Sequence, residues 1–281
     1  MKIGALSSSL RKPFPVTLEK YAQMGLKGIQ LLAEPHILIA DDKILAGYKK
    51  MCDSFGLEVS AVCGDVSRAH FSVELEWEDR VRVHNRVVDL AEKLDSHIIT
   101  THIGVVPEDQ NDPVYEMMAK SLKAAADYSA SKGAVLAVET GPEKAETLLQ
   151  LLNDIDSKGI GVNLDPANLR MVACVDAAHA VKVLGKYIVH THAKDGINIV
   201  AGSPAAAYGI VEVDGSRRVF KEERSQYKEV PLGEGQVEWD PYLAALKEVG
   251  FDGFLTIERE CGEDPEGDIL KAYNFLKSKI S

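Results

Sequence analysis

The sequence predicts a closed (β/α)8 barrel over residues 1–281 as one domain, with a long insert at 196–239 that contains a β-hairpin and follows strand seven. Three observations carry this. Short apolar runs alternate with amphipathic helical stretches along the whole chain, which is the pattern of a parallel sheet with helices outside it. There are eight such pairs in 281 residues, the count and length at which a barrel closes. The stretch 135–165 shows the unit most plainly: VLAVETG, a helix EKAETLLQLLNDIDSKG, then GIGVNLDP. Leu148, Leu149, Leu151, Leu152 and Ile155 form that helix's apolar face, and Gly159 stands where it stops. The competing arrangement is a doubly wound open sheet, but no GxGxxG opens a helix, so nothing supports a dinucleotide site.

In chain order, the first strand is KIGALS (2–7) and its helix VTLEKYAQMG (16–25). The second pair is GIQLLAE (28–34) with DDKILAGYKKMCDSFG (41–56). LEVSAVCGD (57–65) is the third strand, followed by the helix at 77–95, whose buried side is marked by Val81, Val87, Val88, Leu90, Ala91 and Leu94. SHIITTHIG (96–104) is the fourth strand, and its helix at 112–133 opens on Asp112 as N-cap before Pro113. Strands five and six flank the helix described above. The sixth helix is VDAAHAVKVLG (175–185) and the seventh strand YIVHTHAKD (187–195). The remaining elements are the helix at 240–250, the strand GFLTIERE (253–260) and the helix at 265–280.

The insert is far longer than the usual ~2–6 residues of such a loop. Within it, GIVEVDGSRRVF reads as a hairpin turning at Asp214-Gly215 between Val211, Val213 and Val219. At the carboxyl end of a barrel, an insert of this kind suits a lid or a subunit contact.

Composition narrows the class. A net charge of −11, from 32 basic and 43 acidic residues, repels nucleic acid and anionic membranes. No apolar run approaches ~18 residues, and the start MKIGALSSSL lacks the core of a secretory signal. Cys52, Cys63, Cys174 and Cys261 show no CxxC spacing, so they read as small buried hydrophobes in a reduced, cytoplasmic chain.

The chemistry gathers at strand ends, where parallel α/β folds place ligands. Glu139, Asp165, His192 and Glu258 close four consecutive strands. Period-2 alternation puts Ala137 and Glu139 on one face, and Asn163 and Asp165 on one face. Carboxylates meeting in a barrel mouth repel one another, and a divalent cation compensates best. Three carboxylates with one imidazole suit Mn²⁺ foremost, with Mg²⁺ and Co²⁺ as alternatives; Zn²⁺ more usually draws further His or Cys.

His102 closes strand four, Asn168 lies three residues after Asp165, and Lys194 shares a face with His192; all three are candidates for substrate contact. Glu34 ends strand two and His70 follows strand three at the same end, which places them in the same group. His190 sits one layer deeper and reads as a satisfied core histidine. Trp77 fits either the barrel mouth or a helix start, and His36, His84, His97 and His179 carry no assigned role.

The order VETG, NLDPANL, HTHAKD, LTIERE, together with the run VPLGEGQVEWDPYLAALKEVGFDGFLTIERE, resembles the sugar phosphate isomerase/epimerase superfamily, the xylose-isomerase-like TIM barrels. The resemblance spans roughly residues 2–277 and is densest from residue 134 onward. It implies one divalent ion on Glu139, Asp165, His192 and Glu258, with Glu139 and Glu258 also serving as the acid/base pair. It implies a small carbohydrate substrate, and a proton removed next to a carbonyl through a metal-stabilised enediolate. Isomerisation, epimerisation, and dehydration or lyase chemistry of an oxidised sugar or inosose all use such a site. Similar proteins are often dimers or tetramers, which leaves a homo-oligomer open.

Apurinic endonucleases share the barrel and would use His70, His102, Glu139, Asp165, His192 and Glu258. They also want a histidine where Asn168 stands and another after His192, and no histidine follows His192. A non-catalytic sugar-binding barrel is the remaining class, and the complete ligand set argues against it.

Overall fold

The computed structural model describes residues 1–66, 70–200, 202–208, 210–213, 216–219 and 226–280. Its centre is a barrel of eight parallel strands: β1 (Lys2–Leu6), β2 (Gly28–Leu32), β3 (Glu58–Cys63), β4 (Ile98–Thr101), β5 (Val135–Glu139), β6 (Ile160–Leu164), β7 (Ile188–Ala193) and β12 (Phe254–Ile257). Each pairs with the next, and β1 pairs with β12 to close the ring. The expected (β/α)8 barrel is therefore the observed fold.

The main helices surround it: α1 (Phe14–Met24), α3 (Asp42–Ser54), α4 (Trp77–Lys93), α5 (Pro113–Ser131), α6 (Ala145–Ile155), α8 (Ala177–Leu184), α10 (Trp239–Glu248) and α11 (Pro265–Ile280). Local chemistry fixes their starts. Asp41 accepts from the Ile44 N–H at 2.8 Å, Asp112 from Val114 at 2.8 Å and Asp176 from His179 at 2.7 Å. Leu148, Leu151, Leu152 and Ile155 of α6 are buried against the barrel, whereas Leu149 is only partly covered.

Close packing also fixes the route from α6 into β6. A Cβ on Gly159 would run into the Ala126 carbonyl oxygen and lie 2.7 Å from the Ala130 nitrogen, both backbone atoms of α5. Backbone cannot yield as a side-chain tip can, so Gly159→Ala should destabilise the chain by about 1–3 kcal/mol through overpacking. A chemical melt with an unchanged midpoint would show that α5 moves aside freely.

Several short elements are not apparent from the sequence pattern. The second strand stops at Leu32 rather than at Glu34, because Pro35 opens the one-turn helix α2 (Pro35–Leu38) with Glu34 as its flanking residue. Asp165 directly follows β6 and caps another turn, α7 (Pro166–Asn168), which runs into a π-helical segment, Leu169–Ala173. Such π segments often accompany functional sites.

The insert holds a third short helix, α9 (Pro204–Ala207), and two antiparallel pairs. The expected hairpin is β9 (Ile210–Val213) with β10 (Ser216–Val219), in register Val213 to Ser216; its turn, Asp214-Gly215, lies outside the described residues. The second pair, β8 (Asp195–Asn198) with β11 (Tyr227–Val230), forms the insert's base. Buried Asp195 locks that base. Its carboxylate accepts from the Gly233 N–H at 2.9 Å, the Val237 N–H at 3.2 Å and the Trp239 Nε1–H at 3.0 Å.

Two smaller expectations resolve at this level. Trp77 is the first residue of α4, with the Lys120 ammonium 4.8 Å over its ring, so it packs at a helix start. All four cysteines are free, but only Cys52 is buried; Cys174 and Cys261 are exposed, so the small-hydrophobe expectation fails for them. Both lie in loops at element ends, where the period-based burial argument has no force.

Candidate metal centre

The barrel brings together four of the residues picked out by their place at strand ends. Glu139 is the last residue of β5, Asp165 directly follows β6, His192 lies in β7 and Glu258 directly follows β12. One ligand atom from each falls within 4.8 Å of all the others. His192 Nδ1 lies 3.4 Å from Glu139 Oε1, 3.4 Å from Asp165 Oδ2 and 3.3 Å from Glu258 Oε2. Glu139, Asp165 and His192 are almost wholly buried.

Second contacts aim these groups. Gln30, in β2, donates its amide to Thr100 Oγ1 at 2.8 Å, which turns Oε1 toward His192 Nε2 at 3.0 Å. In the tautomer that serves Gln30, Nε2 carries the proton and Nδ1 presents a lone pair to three carboxylates; the Asn163 amide nitrogen lies 3.2 Å from Nε2 as a second neighbour. Glu139 Oε1 accepts from Asn168 Nδ2 at 2.9 Å, and Asn168 is itself fixed by its backbone N–H bonding to Asp165 Oδ1 at 2.8 Å. Thr140 Oγ1 accepts from the Asp165 N–H at 2.8 Å.

Within this cluster, two buried atoms have no hydrogen-bond partner among the described residues: Asp165 Oδ2 and His192 Nδ1. They face each other. A lone pair and an anionic oxygen cannot satisfy one another, and unpaired buried polar atoms are rare enough to require a reason. A cation between them and the two glutamates supplies it, so the donor set fits a divalent ion. Without one, the ring is driven to become the cation itself. Burial disfavours its charge, but Glu258 and Glu139 outweigh that and hold His192 well above its ordinary value. Burial likewise works against ionised Glu258, and Lys194 and His192 overcome it.

The other predicted residues divide. Asn168 reaches the cluster through Glu139. His102 does so as well, with Nε2 3.4 Å from Glu139 Oε1. Burial opposes its charge, but Glu139 and Asp65 push it up to about 10. Lys194 is buried and committed to carboxylates, 2.9 Å from Glu258 and 2.7 Å from Glu260. His70 is half-buried beside Glu76, which accepts its backbone N–H at 3.0 Å. Glu34 is about half exposed, and its ion partner is His36 at 3.2 Å. Among the described residues, neither Glu34 nor His70 contacts the cluster. His190 is a satisfied core histidine, 2.9 Å from Asn163 Oδ1 and 3.0 Å from Thr256 Oγ1.

Sequence reasoning gave no role to Gln30, Asn163, Asp65, Arg80, Glu143 or Tyr208. Asp65 carried the same signal as Glu139, an acid closing an apolar strand. Gln30 was legible as a lone amide inside the apolar run of β2. Tyr208 carried no signal: the insert brings its ring to 5.8 Å from His102, and a Cβ on Gly141 would collide with its hydroxyl. Gly141→Ala should therefore push Tyr208 off the mouth, seen as faster quenching of tyrosine emission by acrylamide; unchanged quenching would place the ring elsewhere.

A family model described as xylose isomerase-like TIM barrel matches residues 18–279. Among solved structures, a xylose isomerase domain protein from Planctomyces limnophilus superposes with a TM-score of 0.80 at 24% identity, covering 99% of this chain and 95% of that one. A D-psicose 3-epimerase solved in the presence of D-fructose gives 0.73 at 18% identity, covering 100% and 99%. A probable 3-DHS dehydratase, AsbF from Bacillus anthracis, gives 0.75 at 19% identity over 100% of both chains. At these identities the structural likenesses establish the fold.

Proposed function

We propose that this chain, which belongs to the xylose isomerase-like TIM barrel family, is a divalent-metal-dependent isomerase or epimerase of a small sugar. The observation that carries the reading is the convergence of two unpartnered buried atoms, Asp165 Oδ2 and His192 Nδ1, with Glu139 and Glu258. These four residues would hold the ion, Mn²⁺ foremost for a mainly carboxylate set. When bound, it supplies a Lewis acid for adjacent carbonyl and hydroxyl oxygens of the sugar.

The rest falls to the chain. Glu139 and Glu258 are separated around the ring by β6 and β7. They can approach a bound sugar from two sides, one taking the proton next to the carbonyl and the other returning it. Asn168 holds Glu139 and Lys194 holds Glu258, so each carboxylate keeps one orientation. Dehydration or lyase chemistry on an oxidised sugar is the second reading; the likeness to a probable dehydratase favours keeping it. Loss of water from the product separates it from the first.

Metal binding tests the premise. The purified protein should hold about one divalent ion per chain by elemental analysis, and Asp165→Asn should weaken binding by at least roughly 10–100-fold. Full affinity in Asp165→Asn would mean that the cluster is not the site. Two or three ions per chain would favour the endonuclease class instead.

A further inference from the structure

We propose that Asp65 is a positioning residue for His102, fixing which nitrogen of that ring faces the substrate; this rests on the sugar-acting reading above. Asp65 follows β3 and His102 follows β4, the neighbouring strand. One carboxylate grips His102 at two places. Asp65 Oδ1 accepts from the His102 backbone N–H at 3.0 Å, and Oδ2 lies 2.7 Å from its Nδ1. Thr101 Oγ1 donates to Oδ1 at 2.5 Å.

Behind them, Arg80 is buried on α4 with its guanidinium 4.6 Å over the Phe71 ring and 3.7 Å from Asp65 Oδ1. Arg80 also donates to Thr101 Oγ1. The carboxylate is thus held from α4 as well as from the end of β4.

Held at its backbone and its ring by the same carboxylate, His102 has little freedom to turn. An ionised carboxylate only accepts, so Nδ1 must be the donor whatever charge the ring carries. Nε2 is left pointing inward, 3.4 Å from Glu139 Oε1. The His102 side chain remains 40% exposed, so it is open to a ligand at the mouth. An ordinary exposed ion pair does not hold both the backbone and the ring of its partner. The arrangement makes Nε2 the atom that meets a sugar oxygen on the Glu139 side, and Asp65 acts only through it.

Long-range ¹H–¹⁵N spectra of the imidazoles in the Zn²⁺-loaded protein test this, with His102 assigned by its loss in His102→Asn. With bound Zn²⁺ offsetting the Glu139 charge that raises this ring, the wild-type proton should sit on Nδ1; in Asp65→Asn and Asp65→Ala it should move to Nε2 or exchange between the two. An unchanged His102 pattern in both variants would overturn the proposal. On a ketose that the wild type turns over, Asp65→Ala should lower kcat by roughly 10–100-fold, the usual effect of losing a group that orients a site residue. In the His102→Asn background the same change should matter by less than about twofold. Full additivity would show that Asp65 acts by another route and would also overturn the proposal. Absence of turnover on every ketose would count against the proposed reaction, and the ring spectra would still decide the role of Asp65.

Discussion

Glu139→Gln and Glu258→Gln should each cut turnover by roughly 10²–10⁴ while most of the metal is retained, the usual worth of a positioned acid or base. Glutamine keeps the size of the side chain and one oxygen but cannot take up a proton at catalytic pH. The surroundings tolerate the change differently. At position 139, Asn168 Nδ2 still finds the amide oxygen at the place now 2.9 Å away. At position 258, Lys194 keeps its 2.7 Å partner Glu260 and so does not become a lone buried cation.

Asp165→Asn provides the contrast: it removes an anionic oxygen that has no other partner, so the loss should appear first as metal affinity. In deuterated water the wild type should place deuterium at the carbon next to the carbonyl. The two glutamine variants should lose that label together with turnover. Either variant with full metal and full rate would show that other residues move the proton. His102 is then the nearest candidate, since its Nε2 already faces Glu139.

Why the four ligand candidates were legible, and their supports were not, follows from where the information resides. Glu139, Asp165, His192 and Glu258 each close an apolar run, so a one-dimensional pattern places them at one end of the barrel. The groups that aim them come from other elements. Gln30 reaches His192 across 162 residues of sequence, and Arg80 reaches Thr101 from a helix whose apolar pattern gave no hint of a buried cation. Such contacts depend on which strands neighbour one another in the closed ring. Glu34 illustrates the reverse failure: it looked like a strand-end acid, but Pro35 ends the strand early and turns it toward His36. Tyr208 reaches the mouth through an insert whose path no periodicity encodes.

Glu143→Gln should stabilise the metal-free protein, and the gain should grow with pH. Glu143 is only 6% exposed, and beyond a weak pull from its own backbone N–H its carboxyl oxygens have no hydrogen-bond partner among the described residues. Burial pushes its acid up to about 8 from an ordinary 4.5, against smaller opposing pulls from its own backbone N–H and from His102. The sign follows from proton counting. Between pH 4.5 and about 8 the unfolded chain releases a proton that the folded chain retains, so the folded state loses stability as pH rises through this window. Below it the group is neutral in both states and contributes nothing.

At about 1.4 kcal/mol per tenfold, the penalty at pH 8 could approach 5 kcal/mol; local relaxation brings the expectation to about 2–4 kcal/mol. For a chain of this size that is a rise in Tm of roughly 5–10 °C at pH 8, and little change near pH 4.5. Paired thermal melts of the wild type and Glu143→Gln across that range, both stripped with chelator, give the difference curve directly. A buried carboxyl left without a good partner costs stability in whichever pH range it must ionise, which is why the difference should open only above the ordinary carboxylate range. A flat difference, or a variant that melts lower at pH 8, would show that the carboxyl is already satisfied in the fold and that Glu143 is structural.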